Sequence, residues 1–461
     1  MQILVINPGS TSTKIAVYED AKPLMLRTIR HSAEQLSQYE EVTDQFDFRK
    51  QLVIDELRRM DIPFHFQAVI GRGGLVKPVE GGVYEINQRM LDDTRNAIHK
   101  HACDLGCLIA YEIAAGIPGC RAFIADPGVV DELSPLARIS GSPLMNRICI
   151  WHALNQRAIA RRYANEIGKR YEDLNLIICH LGGGISVAAH DHGRAIDANN
   201  ALDGEGPFSP ERAGSLPAAD LIRLCFSGRF TEKELLKRVA GQAGLIAHLG
   251  TNDMKEIERR IAQGDKHAEL VVEAMIFQTA KCIVAEGAAL FGKIDAILIT
   301  GGMARSEYVV SRLRRRIDFL APTHCYPGED EMEALALNSL DVLRGKREAK
   351  ENNKPYKSTL IDTMIKHIVM WKLKPEAEGR TAAENAQWMK NHLEALMGVV
   401  PQLLSCEVGI NVAEGNYDAC LVSTFASLED LAAYKIHPAH QAVSSYCKLI
   451  REHRVACDYE I

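Results

Sequence analysis

The chain has 461 residues, with 54 Lys and Arg against 60 Asp and Glu, a net charge of −6. Its 47% hydrophobic and 25% charged residues are those of an ordinary soluble globular protein, which excludes a disordered or fibrous chain. Mild acidity gives no reason to expect nucleic acid or an anionic membrane as a partner, and the length allows roughly two to four domains.

In chain order, residues 2–19 (QILVINPGSTSTKIAVYE) predict a β-hairpin: an apolar run, a turn of small residues, and a second alternating run. Apolar residues at three- and four-residue spacing predict helices over 153–168 and 268–291. Residues 174–190 (LNLIICHLGGGISVAAH) repeat the hairpin design, so two related halves are expected, the second beginning near residue 172. In 295–308 a buried strand runs into Gly301 and Gly302 and then a helix. Strands mixed with long helices make this part α/β. Near residue 341 the chain turns polar and charged, and a linker is expected over 351–362. Beyond it come a strand (364–374), a helix (380–398), strands at 403–412 and 417–425, helical segments to about 453, and a last strand. That βαββαβ order is a ferredoxin-like α+β module able to fold alone, over 363–461. Its first helix can cover one sheet face only, so the other face needs a partner sheet.

The twelve cysteines are scattered, as suits mostly buried, reduced thiols of a cytosolic protein. Cys103 and Cys107 could share a helix face but lack further ligands at metal-site spacing. No apolar run approaches the ~18 residues of a membrane span, and the first strand follows Met1 directly, without a basic leader. A cytoplasmic location is the expectation.

The first hairpin turn offers Asn7, Gly9, Ser10, Ser12 and Lys14. The second offers His180, Gly182, Gly183 and Gly184. Small residues let backbone amides approach phosphate oxygens, and hydroxyls add donors. Two such turns, together with Gly301 and Gly302, point to a polyphosphate ligand. Neither a Walker A pattern nor G-x-G-x-x-G occurs, so the phosphate is held in another way.

Asn7-Pro8-Gly9-Ser10-Thr11-Ser12-Thr13-Lys14, His180-Leu181-Gly182-Gly183-Gly184 and Thr300-Gly301-Gly302 together resemble the acetokinase family over about residues 1–350. Arg72-Gly73-Gly74-Leu75-Val76-Lys77-Pro78, Gly81-Gly82-Val83-Tyr84 and Trp151-His152-Ala153-Leu154-Asn155-Gln156 are similar to its butyrate kinase branch. The resemblance implies a two-domain actin/hexokinase-like (ribonuclease-H-like) ATPase fold around an ATP/ADP cleft. It also implies Mg²⁺-dependent phosphoryl transfer between ATP and a small carboxylic acid, giving an acyl phosphate. A carboxylate with a pKa near 4.3 is already ionised at neutral pH, so such a site needs converging positive charge and no general base. By the same resemblance Arg72 and Arg212 serve the carboxylate and phosphoryl groups, and His152 stabilises the transition state. Asp126 orients an arginine or the metal shell, and Asn7 and Glu331 hold Mg²⁺. Acetate-specific relatives carry an arginine where Val69 stands here, so Arg72 serves from a shifted position or Lys77 shares the task. Arg305, after the Gly301-Gly302 pair, is left without a role. A homodimer or higher homo-oligomer is also implied. A sugar or polyol kinase on the same fold would instead use Asp126 as a base.

Residues 363–461, through Lys366-His367-Ile368-Val369-Met370-Trp371-Lys372 and His437-Pro438-Ala439-His440, resemble the stress-responsive dimeric α/β-barrel family. His367, His437 and His440 are expected to be packing histidines, because no carboxylate or cysteine pattern joins them.

Overall fold

The computed structural model describes residues 1–74, 77–96, 101–352, 364–413 and 417–460. Leu75 and Val76 of the arginine–glycine motif, and the expected linker from residue 353 on, lie outside the described residues. The chain divides into two compact units: Met1–Ser140 with Arg147–Tyr356, and Gly141–Asn146 with Lys357–Ile461.

In the larger unit the first hairpin is Gln2–Pro8 (β1) and Ser12–Glu19 (β2), followed by Lys22–Arg30 (β3), Ala68–Arg72 (β4), Val83–Glu85 (β5) and Arg121–Ala125 (β6). Their sheet runs β3-β2-β1-β4-β6-β5. The second hairpin is Asn175–Leu181 (β7) and Ile185–Asp191 (β8), joined by Arg194–Ala198 (β9), Ala296–Gly301 (β10) and Thr323–Pro327 (β11). That sheet runs β11-β10-β7-β8-β9. Each sheet has an antiparallel hairpin with a third strand beyond it, and two parallel strands on the other side of the first. Apart from the edge strand β5, the two halves share one plan, as the repeated hairpins predict.

The apolar runs are continuous because both strand faces are buried. In β1, Leu4 and Ile6 join one core, while Ile3 and Val5 join another with Met332, Leu335 and Leu340 of helix Glu331–Leu343. Helix Ala153–Glu166 covers one face of the second sheet through Ile159, Ala160 and Tyr163. Helix Lys266–Ala289 covers the other through Val272, Met275, Ile276 and Ile283. Asp265 starts that helix by accepting the Ala268 N–H at 2.9 Å, a cap that contributes about 1 kcal/mol.

In the smaller unit, Ile365–Leu373 (β12) precedes a two-residue ribbon, Glu376–Ala377 (β13) and Arg380–Thr381 (β14). Ser405–Ile410 (β15), Ala419–Phe425 (β16) and Arg451–Glu460 (β17) complete the strands. The sheet order β15-β16-β12-β17 is that of a ferredoxin-like fold. Ile365, Val369, Trp371 and Leu373, with Ala419 and Leu421, pack in one core with Met389 and Leu393 of helix Ala382–Glu394. Ile368 and Met370 alternate with these on the other face of the strand and are only half-buried.

All twelve cysteines are free, but only five are buried and three are exposed, fewer in the core than the sequence suggests. Cys103 and Cys107 are both buried at the start of helix Asp104–Ala115. Among the described residues no helix is long and apolar enough to cross a membrane.

On helix Lys266–Ala289, burial, then the nearby Asp197 and Glu205, push the Glu286 carboxyl up to about 8. A carboxyl raised in the folded state binds its proton more tightly there than in the unfolded chain. Stability therefore falls as pH rises from about 4.5 to about 8 and then levels. Glu286→Gln should remove that decline: its melting temperature should exceed the parent's at pH 8 and match it near pH 4.5, as calorimetry would show.

Candidate active site

The two hairpin turns are built alike. In the first, Gly9 N–H donates to Ser12 O at 2.7 Å, and Arg49 reaches in from helix Phe46–Arg59. Arg49 is 1% exposed, and its guanidinium donates to Gly9 O at 2.7 Å and Ser10 O at 3.1 Å. In the second turn Gly182 N–H donates to Gly184 O at 3.1 Å, and the Gly183 carbonyl accepts from Ser209 Oγ at 2.6 Å and Glu211 N at 3.1 Å. Each turn thus has its carbonyls held by a donor from a distant segment. Among the described residues the amides of Ser10, Thr11 and Gly183 donate to no backbone carbonyl, which suits them to an anion. Ser10 and Lys14 are exposed beside the first turn, and Ser12 is half-buried.

Glycines let these elements approach closely. A Cβ on Gly184 would lie 2.1 Å from Arg212 Nη1, so the guanidinium lies directly against the second turn. Arg212 is fixed by donating to Ala201 O at 2.7 Å. Gly301, with φ +95°, abuts the backbone of Leu181: a Cβ there would lie 2.4 Å from its carbonyl oxygen. The third glycine element is thereby locked to the second hairpin. Gly182, Gly183 and Gly302 line a cavity of about 500 Å³ together with Glu211, Lys255, Arg305 and Glu329.

Glu331 ties the first half together. Its Oε2 accepts from Asn7 Nδ2 at 2.7 Å, and its Oε1 lies 3.0 Å from Arg72 Nη2. Arg72 stands at the end of β4, where Gly106 lets helix Asp104–Ala115 press against its backbone: a Cβ on Gly106 would lie 2.4 Å from Arg72 O. His101 lies close enough to feel Arg72 and Arg212. Burial and then these cations hold its pKa down to about 4, so the ring is neutral at pH 7. Sequence patterns gave no hint of Arg49 or His101. Lys77, the residue expected to share the task of Arg72, pairs with Asp93 at 3.3 Å.

His152 and His180 stack with ring centroids 3.8 Å apart. His152 Nδ1 lies 2.8 Å from Ser186 Oγ, which accepts from Gln156 Nε2 at 2.9 Å. Gln156 Nε2 also reaches the Ser186 carbonyl at 3.2 Å, which fixes the amide's orientation. The backbone N–H of His152, at 3.4 Å, takes the second lone pair of that oxygen, so the Ser186 hydroxyl proton is left for His152 Nδ1 and the imidazole proton falls on Nε2. Burial, then His180 and the two arginines, hold the His152 pKa well below its ordinary value. It is a neutral donor. His180 Nδ1 meets Asn155 Oδ1 at 2.8 Å, and its Nε2 lies 3.2 Å from Glu329 Oε1 without hydrogen-bond alignment.

Asp126 sits elsewhere. Its side chain is wholly buried, accepts from Gly82 N at 2.8 Å, and pairs with Arg157 at 3.0 Å and Arg161 at 3.4 Å. With no exposed side-chain surface and both oxygens turned to arginines, it presents no base to a hydroxyl substrate.

Residues 147–321 match the acetokinase family, and 365–461 match the stress responsive A/B barrel domain. A protein of Bacteroides thetaiotaomicron named "Probable butyrate kinase" is 65% identical over 345 residues, 75% of this chain and 98% of the relative. The chain belongs to the acetokinase family. A Phocaeicola vulgatus relative of the same name is 54% identical over 75% of this chain and 97% of its own. Acetate kinase from Porphyromonas gingivalis shares the fold, with a TM-score of 0.61 at 17% identity over 74% of this chain and 99% of that one. This acetokinase-family chain is accordingly a carboxylate kinase with a barrel domain fused behind it.

In this acetokinase-family site Gly184→Ala should displace the Arg212 guanidinium, which is a flexible end and can yield without unfolding the strand pair. We expect kcat to fall by about 10²-fold, the scale for one misplaced charge donor, with ADP affinity near the parent value. Steady-state kinetics beside ADP calorimetry would check this.

Proposed function

We propose that the enzyme transfers the γ-phosphoryl group of ATP to butyrate, reversibly, giving butanoyl phosphate and ADP. The observation that carries this reading is the convergence of Arg72, Arg212 and the neutral donor His152 with Asp126 withdrawn into its arginine pair. Such a site suits a nucleophile that arrives ionised. The names of the two curated relatives support butyrate within the short-chain acids.

In this reading the amides of the two turns, with Ser10, Ser12 and Lys14, hold the phosphates, and the cavity beside Gly301 and Gly302 takes the nucleoside. Arg72 binds the carboxylate of the acid. Arg212 and the Nε2 proton of His152 meet the charge that develops on the transferring group. His180, held by Asn155, keeps His152 in place by stacking. Asn7 and Glu331 suit a hydrated Mg²⁺, since each carboxylate oxygen of Glu331 accepts one bond and keeps a lone pair for an ion-bound water. Among the described residues no three His, Cys, Asp or Glu side chains are grouped to cage a metal, which favours an ion carried on the phosphates. When bound, the ion neutralises phosphate charge. A cytoplasmic enzyme fits this chemistry. A homodimer or higher homo-oligomer fits the half-buried open sheet face of the barrel domain.

Acyl hydroxamate formation with ATP, Mg²⁺ and a panel of C2–C6 acids and sugars tests the reading. Butyrate should give the highest kcat/KM, and Arg212→Ala should lower kcat at least about 10²-fold with ATP binding nearly intact. Phosphorylation of a sugar but of no acid would overturn it.

A further inference from the structure

The barrel domain contains a second concentration of chemistry-bearing groups, remote in sequence from the kinase motifs. A cavity of about 280 Å³ lies between the sheet and helix Pro438–Ile450, with Val369, Leu393 and Leu421 as its apolar floor. His367 on β12 faces Asp458 on β17 in register, and the two are hydrogen-bonded through His367 Nδ1. This corrects the sequence expectation that no carboxylate joins the histidines. His437 is separate: its ring caps helix Pro438–Ile450 by accepting the Ala439 N–H at 3.2 Å.

The cavity's charges do not balance. Asp458 spends its second oxygen on Lys435 at 3.1 Å. Lys448, Arg451 and Arg454 also line the cavity, and among the described residues none of them has an acidic partner within ion-pair distance. Arg451 and Arg454 are close enough to repel each other, and burial with that repulsion lowers the pKa of Arg454. Lys448 and Arg454 are exposed and Arg451 is half-buried, so water screens the three charges in part, but together they leave the mouth of the cavity positive and suited to an anion. Trp371 gives an independent sign. It is 5% exposed, lines the same cavity, and its indole N–H has no acceptor. A buried donor left unpaired costs about 1–3 kcal/mol, so an acceptor belongs there. With Nδ1 giving its proton to Asp458, His367 keeps Nε2 as an acceptor, and burial lowers its pKa despite that carboxylate.

We propose that this cavity is a binding site for a small organic oxyanion, a carboxylate or acyl phosphate whose apolar body rests on the floor. The oxyanion meets Arg451, Arg454 and Lys448, and Trp371 Nε1 donates to it. The site is independent of the kinase reading, since it uses no residue of the ATP cleft.

The chain has three tryptophans, so the full-length protein labelled with 5-fluorotryptophan gives three ¹⁹F resonances, assignable by Trp→Phe variants. Hexanoate and benzoate should shift the Trp371 resonance saturably, whereas hexylammonium and hexanol should not. Butanoyl phosphate against inorganic phosphate distinguishes an acyl phosphate from a bare anion. Arg451→Glu with Arg454→Glu should abolish the shift and leave the Trp151 resonance in place. Lys448→Glu, on an exposed helix position, should weaken binding at least several-fold and serves if the double variant fails to fold. The proposal is overturned if no organic anion moves Trp371, if hexanol moves it equally, if inorganic phosphate alone does so, or if the shift survives charge reversal.

Discussion

The larger unit depends on one buried carboxylate. Glu331 holds Asn7 of the first turn with one oxygen and Arg72 at the end of β4 with the other, while its own helix packs against β1 and β4. A carboxylate this buried is stable only when both oxygens are paired, so the turn, the arginine and the helix must arrive together. Placing Arg72 in this way also sets His101 and Arg212 within reach of it.

Around that fixed point the site is assembled by close approach. Gly106 brings helix Asp104–Ala115 onto Arg72, Gly184 admits the Arg212 guanidinium, and Gly301 meets the Leu181 backbone. The carbonyls of the two turns are drawn back by Arg49 and by Ser209 with Glu211. Polar groups positioned before the ligand arrives need little reorganisation during the reaction, which is where such sites gain most of their rate. Neutral His152 fits the same logic: its proton is fixed on Nε2 by a serine whose other bonds are already spoken for.

The two hairpins were legible because buried strands and glycine turns leave local patterns, and the repeated plan of the sheets follows from them. The arginines and His152 were legible through family motifs. Arg49, His101, Ser186 and Gln156 were not, since each acts through a partner in another segment and none carries a spacing of its own. The same holds for His367 and Asp458, which are 91 residues apart and meet only because β12 and β17 are in register. Asp126 could be placed in the family pattern, but only its burial against Arg157 and Arg161 shows that it cannot serve as a free base.

The claim on which the functional account rests is that the acid's own oxygen attacks phosphorus. Butyrate carrying ¹⁸O in both carboxylate positions, incubated with ATP and Mg²⁺, tests it by mass spectrometry of the product. Attack by the carboxylate leaves both heavy atoms in butanoyl phosphate and releases ADP. Loss of one label from the product, or release of labelled AMP, would mean that the carbon–oxygen bond is broken and would contradict the account.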